Sequence, residues 1–330
     1  MHVLITGGAG YIGSLLTGVL LQRGYSVTVI DDLLFGGDSL LAYISHPHFR
    51  FHKANVTEKE VIRPYFKEVD FVIHLAAIVG FPACQQVGPK VSWLYNTEGT
   101  KNVYELAREN RVKRFVFAST YSNYGIAESD APVTEESPLN PQSIYAETKI
   151  AAERYLMEQG KNSDTVPVLF RFATLFGLSP RTRFDLIINQ FVLEAIEKRH
   201  LIIYQKNYNR SFVHIRDIAK ALVMALEADI AKVGNQVFNV GSNNGNYSKE
   251  ELIGMIQKYV SGVTIEYKDI TFGGDMRDIK VSFDKIERVL GYKAEVTVEQ
   301  GIQELAEAIQ SKFLYDPHAA RNRNAQFIVQ

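Results

Sequence analysis

Short apolar runs rich in β-branched residues recur along the first half of the chain, at 3–6, 26–31, 71–76, 114–119 and 167–172. Longer helix-like segments lie between several of them, at 12–23, 96–110 and 145–159. Strands alternating with helices predict βαβ units: an α/β fold with a parallel sheet, helices on both faces and right-handed crossovers. After about Gly177 the alternation breaks. Pro180, Arg181, Thr182 and Arg183 are followed by a helix-like stretch at 186–197. The expected division is a first domain over 1–178, a smaller α/β lobe over 179–315 and a polar tail over 316–330. The tail is expected to be poorly ordered. Phe238, Asn239 and Val240 read as one more strand, so part of 216–241 is expected to return to the first sheet.

The first strand runs into Thr6-Gly7-Gly8-Ala9-Gly10-Tyr11-Ile12-Gly13, which opens the first helix. Glycines at 7, 10 and 13 allow a tight turn and close approach to a pyrophosphate, and the helix N-terminus favours negative charge. Eighteen residues beyond Gly13 the second strand ends in Asp31. A carboxylate there can accept hydrogen bonds from a ribose 2′-hydroxyl, and it repels a 2′-phosphate. Asp32 adds to that repulsion. The context predicts a doubly wound, Rossmann-type domain that binds NAD rather than NADP.

Tyr145-Ala146-Glu147-Thr148-Lys149 sets a tyrosine and a lysine four residues apart, on one helix face. Free tyrosine, with a pKa of about 10, is a poor base. A nearby ammonium favours the phenolate. Tyr145 can then take a proton from a hydroxyl while a hydride leaves the same carbon. Upstream, the apolar strand at 114–119 runs into Ser119, Thr120, Tyr121 and Ser122. In open α/β sheets ligands bind beyond such carboxyl ends, so Ser119 or Thr120 can share the hydroxyl proton.

Composition narrows the class. Lys and Arg number 36 and Asp and Glu 37, for a net charge of −1 over 330 residues. This is not the basic balance of a nucleic-acid binder. The single cysteine, Cys84, permits no disulfide within the chain, which suits a reducing cytoplasm. No apolar run approaches the roughly 20 residues of a bilayer span. The start of the chain has no leader-like pattern. No His-Glu-x-x-His or thiolate cluster suggests a metal. His74, within an apolar run, reads as a packed residue.

Together the Thr6–Gly13 loop, Asp31, His74-Leu75-Ala76-Ala77, Asn96-Thr97-Glu98-Gly99-Thr100, the Ser119-Thr120 strand end and Tyr145-x-x-x-Lys149 occur in a recognisable order. The chain resembles the extended short-chain dehydrogenase/reductases of the NAD-dependent nucleotide-sugar epimerase/dehydratase group, up to about residue 312. UDP-glucose 4-epimerases are among them. The resemblance implies Tyr145 as catalytic base, Lys149 on the nicotinamide ribose and Thr120 as the catalytic hydroxyl. It implies Gly7, Gly10, Tyr11, Ile12 and Gly13 at the pyrophosphate, Ala76 and Ala77 lining the cofactor, and Asn96 supporting the site. Asn55 stands where the group usually has an aspartate near the adenine, and Ser119 and Asp32 complete the cofactor set. Thr120, Tyr121, Arg181, Arg183, Arg210 and Arg277 are the implied substrate contacts. Arginine forks suit phosphate oxygens. The resemblance also implies a homodimer, paired through the helices at 96–110 and 145–159.

Two departures bear on the reaction. Ala173 replaces an asparagine that touches substrate in many 4-epimerases, and residues 178–185 resemble a subgroup that includes 4-dehydrogenases of nucleotide-linked heptoses. The 4,6-dehydratases carry an Asp-Glu pair after the catalytic Thr, where this chain has Tyr121 and Ser122. The expected activity is C4 oxidation of a nucleotide-sugar with NAD, as an epimerase, with a 4-dehydrogenase or 4-ketoreductase as the alternative. A non-catalytic NAD-sensing protein is the contrasting reading, which the Tyr145-Lys149 pair disfavours.

Overall fold

The computed structural model describes residues 1–126, 131–268, 278–314 and 316–325. Strands are numbered in chain order. Among the described residues a seven-stranded parallel sheet is built from β1 (His2–Thr6), β2 (Ser26–Asp31), β3 (Phe49–Lys53), β4 (Phe71–His74), β5 (Arg114–Thr120), β6 (Val166–Phe172) and β10 (Gln236–Val240). Their order is β10-β6-β5-β4-β1-β2-β3. This is a Rossmann-type α/β fold. The order reverses at β1, which pairs with β2 on one side and β4 on the other. Outside the carboxyl ends of those strands lies the crevice where such sheets bind ligands.

Strand periodicity explains the two layers of core. Val3 and Ile5 face one cluster, with Leu16 and Leu20 of the helix Tyr11–Gln22 and Ile218 and Leu222 of the helix Ile215–Glu227. Leu4 faces the other, with Val103 and Leu106 of the helix Gly99–Glu109 and Leu156 of the helix Ile144–Gly160. Alternate residues point to opposite faces, and both faces are covered. At 238–240 the chain lies beside β6, so this strand does rejoin the large sheet. Ile279, Val281 and Phe283 also pack on the large-sheet core.

The smaller lobe has its own core, including Phe184, Ile188, Val192, Phe212, Leu252, Ile256 and Leu305. β7 (Thr174–Phe176), β9 (Asn209–His214) and β11 (Asn246–Ser248) form a three-stranded sheet. Its first strand thus precedes residue 179. β8 (His200–Tyr204) pairs with β12 (Thr264–Lys268). No helix among the described residues is long and apolar enough to cross a membrane.

Two expectations are corrected. The helix read as starting at 96 is the end of a longer helical run. The helix Phe81–Trp93, broken at Gly88 (φ 82°) before Pro89, leads into a wide turn at Leu94–Glu98 and then Gly99–Glu109. Gly88 does end the first helix, but a second helical run starts at Pro89 and continues through the wide turn to Glu109, so this helix begins before residue 96. The tail is docked as far as residue 325. Arg321 pairs with Asp38, His318 with Glu197, and Phe184 donates its amide to Asn322 O at 2.8 Å. Its polar groups find specific partners, which composition does not reveal.

Candidate active site

The site is a cleft at the carboxyl ends of β1, β2, β4 and β5. Its floor is the glycine loop. Gly7 has φ +74°, and a Cβ on it would lie 2.6 Å from Ala76 N. A Cβ on Gly13 would lie 2.5 Å from Gly7 O. Side chains at these positions would break the turn, so the glycines are required by geometry. The helix Tyr11–Gln22 starts from Gly10 with no side-chain cap, which leaves its N-terminal end facing the cleft. The cradle fits a dinucleotide's phosphates. Gly7, Gly10, Tyr11, Ile12 and Gly13 all line it, as do Asp31, Asp32, Asn55, Ala76 and Ala77.

Asp31 accepts from Ala9 N at 3.0 Å and from Leu33 N at 2.8 Å. Burial raises its pKa; the two amides and Arg181 pull it back, and Asp32 adds to the rise. Asn55 donates to the Tyr95 hydroxyl at 2.6 Å and accepts from Thr57 N, so its amide is already engaged locally. Asn96 does not line the cleft. It is fully buried behind it, accepting from Ile78 N at 2.7 Å and donating to Thr148 Oγ1 at 3.1 Å. That ties the wall after β4 to the helix carrying Tyr145.

The facing wall is Ala118–Ser122 with Tyr145 and Lys149. Ser143 caps the helix Ile144–Gly160, accepting from Ala146 N at 3.2 Å, so Tyr145 stands in the first turn and Lys149 one turn on. Lys149 is 2% exposed. Its Nζ donates to Ala118 O at 2.8 Å and lies 4.6 Å from the Phe117 ring centroid. Burial pushes its pKa down to about 8, while Cys84 and Glu153 push upward. Thr120 Oγ1 donates to Ser122 Oγ at 2.9 Å and accepts from Ser122 N at 3.1 Å. Tyr121 OH is bonded to Thr174 Oγ1 at 2.7 Å. Ser119 lines the cleft, but its hydroxyl donates backwards to Glu153.

The arginines separate. Arg183 is held by Asp185 through two hydrogen bonds of 3.0 and 2.8 Å. Burial opposes its charge, but Asp185 outweighs this and raises its pKa; Tyr145 adds to the rise. Arg181 lines the same cleft near Phe35. Arg210 is buried in β9 and is not among the described residues lining the cleft. Arg277 lies outside the described residues.

His74 is a packed residue, as expected. Its ring contacts Thr6 Oγ1 at 2.6 Å and Thr100 Oγ1 at 2.9 Å, and burial beside Lys149 pushes its pKa down to about 3. Sequence reading missed two features. One is the buried pair of Glu153 and Arg171 behind Ser119; Glu153 lies four residues beyond Lys149, and that spacing was the available signal. The other is Asn324, which lines the cleft from the tail with no signal in local pattern.

The sequence profile described as the NAD dependent epimerase/dehydratase family matches residues 3–241. The chain belongs to this family. Its cofactor is accordingly NAD. Among its relatives, the UDP-glucose 4-epimerase of Bacillus subtilis is 28% identical, covering 91% of this chain and 94% of that protein. The low-salt glycan biosynthesis protein Agl12 of Haloferax volcanii is 30% identical, covering 92% and 96%. In fold, the chain is similar to the UDP-glucuronic acid 4-epimerase of Bacillus cereus, solved with UDP-glucuronic acid and NAD. The TM-score is 0.84 at 24% identity, covering 94% of this chain and all of that one.

Proposed function

We propose that the chain oxidises a nucleotide-sugar at C4 and that its net reaction is C4 epimerisation. One observation carries this reading: Tyr145, Lys149 and Thr120 share the wall opposite the glycine loop. When bound, NAD would supply the hydride acceptor and, once reduced, the hydride that returns to the ketone. Tyr145 takes the C4 hydroxyl proton, and the buried Lys149 ammonium favours its phenolate. Thr120, oriented by Ser122, holds the hydroxyl oxygen. Return of the proton from Tyr145 completes the cycle after the ketone has presented its other face. Arg183, whose charge acts on Tyr145, serves the sugar-nucleotide side. Dehydration across C5–C6 needs carboxylate acid–base groups, and Tyr121 and Ser122 supply none.

The reading extends to a cytoplasmic homodimer. Cys84 is buried and without a disulfide partner, which suits a reducing compartment. The helices Gly99–Glu109 and Ile144–Gly160 are the expected dimer face. Light scattering at micromolar concentration checks this; a monomer counts against it.

Product analysis with UDP-, GDP-, CDP- and dTDP-sugars, heptoses included, tests the reaction. A C4 epimer with no net NADH supports epimerisation. Accumulated NADH or ketone makes the chain a 4-dehydrogenase or, in reverse, a 4-ketoreductase.

A further inference from the structure

Arg181 is 6% exposed and lines the cleft. Its Nε donates to Arg321 O at 2.8 Å and its Nη2 to Asn324 Oδ1 at 2.8 Å. Both acceptors are neutral. Among the described residues, no carboxylate lies within ion-pair distance; Asp185, itself paired with Arg183, and then Asp31 act on Arg181 only at longer range. The guanidinium lies 4.0 Å from the ring centroid of Phe35, four residues after Asp31. A buried cation with no counter-charge in contact is unfavourable, so an anion bound in the cleft would complete it.

Location identifies which anion. Ser179, two residues before Arg181, donates to Tyr11 O at 2.7 Å and meets Ser14 Oγ at 3.1 Å. Tyr11 OH donates to Gly177 O at 2.7 Å. The segment carrying Arg181 is therefore fastened to the first turn of the helix that follows the glycine loop. The cation, Phe35 and Asp31 belong to the dinucleotide half of the cleft, whereas Arg183 is tied to Asp185 and faces both Tyr11 and Tyr145, between the two halves.

The tail holds this arrangement in place. Arg321 pairs with Asp38 of the first domain, and His318 pairs with Glu197 of the smaller lobe. Asn324 N donates to Asp185 Oδ2 at 3.0 Å. Residues 316–325 thus span both lobes and supply both hydrogen-bond acceptors of Arg181.

We propose that Arg181 is a ligand of the cofactor's phosphates and that residues 316–325 are the clasp that fixes it there. The assignment moves Arg181 from the substrate to the cofactor. It rests on NAD being the cofactor and not on the C4 reaction.

The experiment measures NAD⁺ binding by titration calorimetry, and UDP binding on NAD-loaded protein, with no sugar present. The variants are Arg181→Ala, Arg181→Lys, Asn324→Ala and removal of residues 316–330. Loss of a charge-assisted contact predicts that Arg181→Ala and the truncation each weaken NAD⁺ about tenfold or more, with UDP affinity changed less than about threefold. Arg181→Lys retains part of the affinity. Combining the truncation with Arg181→Ala adds little, because both remove one arrangement. Unchanged NAD⁺ affinity in Arg181→Ala overturns the proposal. So does a loss confined to UDP, which returns Arg181 to the substrate. Circular dichroism identifies a variant that fails to fold. In that event Asn324→Ala decides: NAD⁺ affinity equal to wild type overturns the clasp.

Discussion

Glu153 and Arg171 form a buried ion pair at 2.6 Å directly behind the strand end that carries Ser119 and Thr120. Arg171 also donates to Tyr124 OH at 2.9 Å, and Tyr124 donates to Asn239 Oδ1 at 2.7 Å. Ser119 and Asn123 donate to the same carboxylate oxygen of Glu153. One carboxylate therefore joins β5, β6 and the Tyr145 helix. Glu153→Gln leaves the Arg171 charge buried without its partner. The expected destabilisation is about 3 kcal/mol, and replacing both residues by Met is expected to cost less than either single change. Urea unfolding of Glu153→Gln, Glu153→Met, Arg171→Met and the double Met variant checks this, and additive losses in the Met series would remove the pairing argument.

Gly7→Ala is expected to damage the cofactor loop selectively. The positive φ alone costs about 1–3 kcal/mol for a residue with a side chain. The added carbon also meets Ala76 N, and backbone there cannot yield cheaply. Gly24 has φ +81° with nothing within 4 Å of a Cβ, so Gly24→Ala isolates the backbone strain. Both variants should melt earlier, but Gly7→Ala alone should lose NAD affinity. Equal NAD affinity in the two would show that the close approach to Ala76 does not shape the site.

Legibility in the sequence followed the range of the interaction. That Gly7, Asp31, Tyr145 and Lys149 meet in one cleft is readable because their positions depend on neighbours along one strand–turn–helix or on one helix face. Asn96 was named as a support from family resemblance, yet its partner Ile78 and its burial needed the fold. Arg171 and Glu153 are 18 positions apart, and Arg181 and Asn324 are 143 apart. No periodicity connects such pairs. The tail looked unstructured because its polar residues bury little apolar surface; specific partners hold it instead. Gly88 is a real break, but the helical run from Pro89 passes through the wide turn at Leu94–Glu98 into Gly99–Glu109, and its earlier start has no clear apolar period.

Tyr145→Phe removes the proposed proton acceptor and leaves the ring in place. General-base loss predicts a fall in kcat of about 10²–10⁴. NAD affinity should be unchanged, because the glycine loop and Asp31 are untouched. Turnover equal to wild type with every nucleotide-sugar would make Tyr145 a packing residue and favour a non-catalytic NAD-binding role.

The pH profile follows from Lys149. Burial depresses its folded-state pKa from 10.5 to about 8. Between those values the unfolded chain binds the proton more tightly, so this group's contribution to stability rises with pH across the window. The contribution is present above the unfolded value and lost as pH falls through about 8. Activity runs the other way. The ammonium proposed to favour the Tyr145 phenolate disappears as pH rises through about 8, so kcat/KM should decline on that limb while the fold does not weaken from this residue. Arginine cannot deprotonate there. Lys149→Arg, even at reduced rate, should therefore lose the declining limb. Measuring kcat/KM and urea stability from pH 6.5 to 10 separates the two trends. A declining limb that persists unchanged in Lys149→Arg would assign it to another group.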